Sequence, residues 1–137
     1  MDPEILKYLQ ELEEVESDGL EKLVKALSML SGRDREVMLG VAFDALVHRE
    51  LIRGIRNALS EYDKLVKSRP GNPRPGGAAK IIEAHNSAEL RSIELYSKLI
   101  DAKLSGLVTE MLEAVRRNEE EHLAIEYILI KGGRRSQ

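Results

Sequence analysis

The amino-acid sequence predicts an all-α protein, a four-helix bundle made of two antiparallel helical hairpins joined by a proline-rich loop. Three observations carry that expectation. Apolar residues recur at steps of three and four almost throughout. No stretch alternates with the period of two that marks a half-buried strand. Two Ser-Gly pairs and one segment rich in Pro and Gly punctuate the chain into four periodic runs.

The first helix opens with Asp2 as N-cap and Pro3 at the first helical position, where the missing N–H costs nothing. Its pattern runs to about Leu30, and Ser31-Gly32 breaks it. Asp34 can cap the second helix, whose stripe passes through Val37, Met38, Val41, Ala45, Ile52, Ile55, Leu59 and Val66 to an end near Ser68. Residues 69–77 hold three of the four prolines and form the long connection. The third helix is expected from Ala78 to about Leu104, and the fourth from Ser105-Gly106 to about Ile130. The hairpins therefore span 3–68 and 78–131, with 132–137 a flexible tail. The halves also resemble each other at an offset of 74 residues, which lays Leu30-Ser31-Gly32 over Leu104-Ser105-Gly106 and His48 over His122. That points to two related hairpins, packed as one bundle over residues 1–131.

Composition removes several function classes. At 137 residues the chain supports a single core. It has no cysteine, so disulfides, thiolate metal sites and cysteine nucleophiles are excluded. Lys plus Arg number 21 against 24 Asp plus Glu, with Phe 1 and Trp 0, which argues against a basic, aromatic-studded nucleic-acid surface. No apolar run approaches the roughly 18 residues of a membrane span, and the opening Met1-Asp2-Pro3-Glu4 is acidic where a secretory leader is basic. A cytoplasmic protein that contacts neither membrane nor nucleic acid is expected.

The informative feature is what interrupts the apolar stripes. Glu16 falls between Leu12 and Leu20, and His48 between Ala45 and Ile52. His85 and Glu89 follow Ile82, while Glu119 and His122 follow Val115. Heights along a bundle can be compared by counting from each hairpin turn. Glu16 lies sixteen residues before Gly32 and His48 sixteen after it; Glu89 lies seventeen before Gly106 and His122 sixteen after it. The four side chains are expected at one level, with Glu119 a turn from His122 in a Glu-x-x-His pair. Several unpaired buried carboxylates would cost several kcal/mol each, which a cation offsets. Oxygen and imidazole donors without sulfur suit iron, manganese or zinc.

The remaining charges read as solvated. Glu120, Glu121, Glu11, Glu13 and Glu14 are expected to face water, and Arg49, Arg53 and Arg56 to form a salt-bridged outer face or a subunit contact. Tyr96 reads as a core aromatic whose hydroxyl finds a carboxylate.

On these residues the sequence resembles the ferritin-like superfamily, nearest its rubrerythrin-like members. The carriers are Glu89 with Tyr96 seven residues on, and Glu119-Glu120-Glu121-His122, within a match over about residues 78–130. The resemblance implies a metal shell of Glu16, His48, Glu89, Glu119 and His122, with His85, Asp44 and Tyr96 as further ligands or as groups hydrogen-bonded to ligands. It departs from the family pattern at Ala45, three before His48, where a bridging carboxylate is missing. That leaves an asymmetric two-metal site or a single ion. The class implied is a non-haem iron or di-iron protein that oxidises iron or reduces O2 or peroxide. As a peroxidase it would take electrons from a separate protein, and it is expected to be a homo-oligomer, a dimer for example. The alternative is a metal-free or zinc-structural bundle that serves as a partner-binding module.

Overall fold

The computed structural model describes residues 2–71 and 76–135, and among these all regular structure is α-helix. The helices are α1 (Pro3–Leu27), α2 (Gly32–Lys67), α3 (Gly77–Asp101) and α4 (Gly106–Arg135). Contacts divide the chain into two compact units, Met1–Arg69 and Pro70–Gln137. In the first, α1 packs on α2, and in the second α3 packs on α4. Both hairpins are antiparallel: Glu13 meets Arg53 while Glu16, further along α1, meets His48, further back on α2.

Local chemistry sets the helix ends. Asp2 caps α1 as expected, its Oδ1 accepting from the Glu4 N–H at 2.9 Å, with Pro3 at the first position. The helix stops at Leu27 rather than Leu30, because the Ser28 hydroxyl and N–H both donate to the Lys25 carbonyl and tighten the last turn. Met29 consequently projects into solvent. Ser31, not Asp34, is the N-cap of α2, and Gly32 takes φ 60 where a side chain would be strained. Asp34 sits in the first turn, where its charge complements the helix dipole. At its other end α2 closes at Lys67, Ser68 donating to the Leu65 carbonyl.

The second hairpin differs from expectation at three ends. Gly76, left-handed at φ 71, leads directly into Gly77, so α3 begins a residue early. It ends at Asp101, after which Lys103 occupies the left-handed region at φ 51, a position that favours glycine. Ser105 then accepts from the Val108 N–H at 3.2 Å. Finally α4 continues through Gly132 and Gly133 to Arg135, so 132–135 are helix rather than tail. Residues 72–75 of the expected proline-rich loop and 136–137 of the expected tail lie outside the described residues.

Each hairpin buries a narrow seam. In the first, Leu20, Ala42 and Ala45 form the buried cluster, flanked by Leu23 and Leu27. Ala45 therefore has a packing use: at the closest approach of two helices a methyl fits where a longer side chain would push them apart. The seam also passes through Glu13, which does not face water as expected. Arg53 Nε donates to its Oε1 at 2.6 Å and Arg56 Nη1 lies 2.9 Å from Oε2, so these partly exposed arginines are salt-bridged as expected and cover Glu13. In the second hairpin the buried residues are Ala79, Ile130 and Glu89. Glu89 is 3% exposed, more deeply buried than any apolar side chain among the described residues.

No helix among the described residues is long and apolar enough to cross a membrane.

Candidate metal centre

The centre lies midway along the second hairpin, where Glu89 on α3 faces Glu119, His122 and Glu126 on α4. The spacing explains the meeting. On α4, steps of three and four put residues 119, 122 and 126 on one face, and on α3 residues 85 and 89 are one turn apart. In an antiparallel pair, His85 then stands opposite Glu126 and Glu89 opposite His122.

The distances follow that register. His122 Nδ1 lies 3.5 Å from Glu89 Oε1, and His85 Nδ1 lies 3.8 Å from the same oxygen. His85 Nδ1 is also 2.6 Å from Glu126 Oε1. Two trios result, Glu89–Glu119–His122 and His85–Glu89–Glu126, each offering ligand atoms that all lie within 4.8 Å of one another. An ion with bonds of about 2.1 Å sets adjacent donors about 3.0 Å and opposite donors about 4.2 Å apart. Both trios are thus within a small side-chain movement of ligating geometry.

Two carboxylate oxygens are unsatisfied. Glu89 Oε2 and Glu126 Oε2 are buried and have no hydrogen-bond partner. Burial pushes the Glu89 carboxyl above the usual carboxylate range, and neighbouring Glu126 pushes it further. Burial also acts to raise Glu126, but hydrogen bonds to Glu89 and His85 outweigh it and hold this carboxyl low. His85 is held above the ordinary imidazole value by its hydrogen bond to Glu126 and by that group's charge. The imidazole beside Glu126 thus offsets part of the negative charge that converges here. A cation would do the same work more completely, and oxygen and nitrogen donors without sulfur fit iron, manganese or zinc.

The five expected ligands fall two in the first hairpin and three in the second. Glu89, Glu119 and His122 come together as expected. Glu16 and His48 pair within the first hairpin, Oε2 to Nδ1 at 3.5 Å. That matches the Glu89–His122 separation, with His48 and His122 at the offset of 74 residues and Glu16 and Glu89 one residue off it. At the same offset Ala45 corresponds to Glu119 and Ile52 to Glu126. No three-ligand group forms among the described residues of the first hairpin. Asp44 lines an open groove of about 470 Å³ with Glu16, Ala45 and His48, its Oδ1 buried and without a hydrogen-bond partner. His85 joins the cluster through its Nδ1 although its side chain is 59% exposed. Tyr96, two turns from Glu89, is half-buried and belongs to neither trio.

Glu126 is the ligand candidate that sequence reasoning missed. The apolar period of the sequence leads from His122 to Ile125 and Leu129, but those residues are 57% and 54% exposed. The inward stripe runs instead through Glu119, His122, Glu126 and Ile130. Continuing the chain of steps from His122 by four instead of three would have found it.

Comparison with protein-family models, with curated proteins and with solved structures gives no match. The class is therefore defined by fold and site alone, an all-α protein of four helices with a carboxylate–histidine cluster inside its second hairpin.

Proposed function

We propose that this chain is a non-haem metal-binding protein of the ferritin-like kind, with Glu89, Glu119 and His122 as ligands and iron as the cation. The observation that carries the reading is Glu89: the most buried charged group described, with one oxygen unpartnered and two further ligand atoms beside it. Leaving such a group bare is costly, and nothing in hairpin packing requires a carboxylate there.

The residues divide the work. Glu89 is fixed by burial and sets the position of the ion. Glu119 and His122, on successive turns of α4, close on it from the facing helix. His122 and His85 are partly exposed, so small molecules can reach the cluster from solvent. Iron held there supplies one-electron chemistry with O2 or peroxide. Oxidation of ferrous ion, or reduction of peroxide with electrons from a separate protein, is the class of reaction proposed.

The test is anaerobic titration with ferrous ion, followed by metal analysis and an absorption spectrum after air is admitted. Stoichiometric uptake by the native chain, abolished by Glu119→Ala with His122→Ala, is the expected result. Uptake unchanged by that pair of substitutions sinks the assignment. One observation favours a second reading: the 2.6 Å His85–Glu126 contact lets the inward groups partly satisfy one another without metal. A metal-free partner-binding hairpin would show no uptake and the same melting temperature with and without chelator. A structural zinc would be taken up without any colour.

A further inference from the structure

We infer that Glu126, braced by His85, is a positioning residue of the centre: it orients Glu89 toward a single ion that Glu119 and His122 close upon, and neither Glu126 nor His85 is itself a ligand. This rests on the metal-binding reading above and assigns a role to the groups beside its ligands.

Both trios offer atoms within reach of an ion, and hydrogen bonding tells them apart. An imidazole nitrogen ligates only when it carries no hydrogen. His85 Nδ1 lies 2.6 Å from Glu126 Oε1, a charge-assisted contact in which the ring must donate, because an ionised carboxylate has no hydrogen to give. That nitrogen is therefore spent. His122 Nδ1 stands 3.5 Å from Glu89 Oε1, beyond the reach of about 2.7–3.2 Å of an N–H···O bond, so its lone pair is not committed there.

From α3, three side chains hold Glu126: His85, Glu89 and the half-buried Asn86. Glu119 takes part in none of these bonds. A carboxylate tied from several sides keeps one rotamer, and its bond to Glu89 passes that rigidity to the group that sets the ion's position. The pair also joins α3 to α4 one turn from the ligands, so Glu89 and His122 are held at a fixed separation.

The first hairpin supplies an internal contrast. Leu12 stands four residues before Glu16 as His85 does before Glu89, and Ile52 four after His48 as Glu126 does after His122. The same carboxylate–imidazole pair, also at 3.5 Å, is thus present there without the brace. Its Glu16 side chain is 26% exposed, where that of Glu89 is 4%. The brace accompanies the carboxylate that is drawn fully into its seam.

The experiment is equilibrium dialysis of the full chain against Mn(II), with pulsed electron paramagnetic resonance to count the nitrogen nuclei coupled to the bound ion. The native chain should bind about one Mn(II) with a single coupled nitrogen, which His85→Gln keeps and His122→Asn removes. Glu126→Ala should weaken binding about 10–100-fold at unchanged stoichiometry. Glu126→Gln still accepts from His85 and can donate to Glu89, and should recover most of that loss. Two bound ions, or a second coupled nitrogen that disappears in His85→Gln, would make these residues ligands and overturn the inference. A Glu126→Gln chain as weak as Glu126→Ala, or a Glu126→Ala chain as tight as the native, would overturn it too. In each of these cases, binding that is still lost on Glu119→Gln with His122→Asn leaves the proposed function standing. A native chain that binds no Mn(II) overturns both. Circular dichroism checks the helix content of every variant, and if Glu126→Ala fails to fold, the nitrogen count in His85→Gln decides.

Discussion

Replacing Glu89 with Gln keeps the shape of the side chain and removes its charge, and the consequence should change sign with metal. Without metal, the native carboxylate is 3% exposed with one oxygen unpartnered. A buried polar atom left unsatisfied costs about 1–3 kcal/mol, and a charged one lies toward the upper part of that range. The Gln amide keeps a donor toward Glu126 or Glu119 at every pH, where the carboxyl has one only while it is protonated. Glu89→Gln should therefore stabilise the metal-free protein by about 2 kcal/mol at neutral pH. Unfolding entropy of about 2.1 cal/mol/K per residue makes that a rise of about 7 °C in Tm for a chain of this length. The pH dependence has a definite direction. The folded Glu89 carboxyl lies above the usual carboxylate value of 4.5, so the folded state holds its proton more tightly than the unfolded chain. The stability this gives is present at low pH and is lost as pH rises through the raised value. The native chain should thus close the gap on the variant as pH is lowered toward the unfolded carboxylate value of 4.5. Calorimetric melting in chelator as pH is lowered reads this directly. With saturating Mn(II) the order reverses, because only the native chain is stabilised by the ion. A variant less stable than the native chain in chelator at pH 8, or one that gains as much from Mn(II), would refute the reasoning.

Other substitutions test the remaining steps. Ala45→Glu places a carboxylate one turn from His48 and beside Glu16, in the spacing of Glu119 and His122; it should destabilise the metal-free chain by about 2–3 kcal/mol and raise Mn(II) content by about one ion. Lower stability with no added metal would show that the first hairpin lacks the geometry for a site. Lys103→Gly relieves a left-handed residue after α3 and should raise stability by about 0.5–1 kcal/mol in chemical denaturation; a loss would mean the Lys103 side chain contributes more than its backbone strain costs. Asp2→Ala removes the acceptor for the Glu4 N–H and should cost about 1 kcal/mol by the same measurement, with no effect on metal content.

The fold class was legible because helical periodicity and two Ser-Gly breaks are local signals, and local chemistry decided them. Asp2 and Pro3 marked the start of α1 correctly because capping depends only on residues within one turn. The end of α1 was not legible, since Leu30 continues the apolar period while the Ser28 hydroxyl, by closing on the Lys25 carbonyl, ends the helix first. The centre was read in part. Glu89, Glu119 and His122 stand out as polar residues on apolar stripes, but on α4 the apolar period leads to Ile125, one residue short of Glu126. Steps of three and four are equally allowed at each turn, and only the facing helix decides between them. Glu13 was misread for a related reason: its burial follows from Arg53 and Arg56, forty residues and more away in sequence.

The absence of cysteine gives the pairing of Glu89 with His122 a mechanical meaning. A chain without disulfides has no permanent cross-link, and each hairpin is closed by its short turn, a narrow buried seam and a few ion pairs between its helices. A cation gripping α3 and α4 at once closes a loop of about 33 residues, and the entropy removed from the unfolded chain by such a closure is worth about 3.8 kcal/mol. The first hairpin, with Ala45 in its seam, has no such clasp. Loading with metal would therefore make the two halves unequal: the second resistant to heat, proteases and amide exchange, the first free to open at its own lower threshold. Metal supply would then govern which half of the molecule yields first under stress.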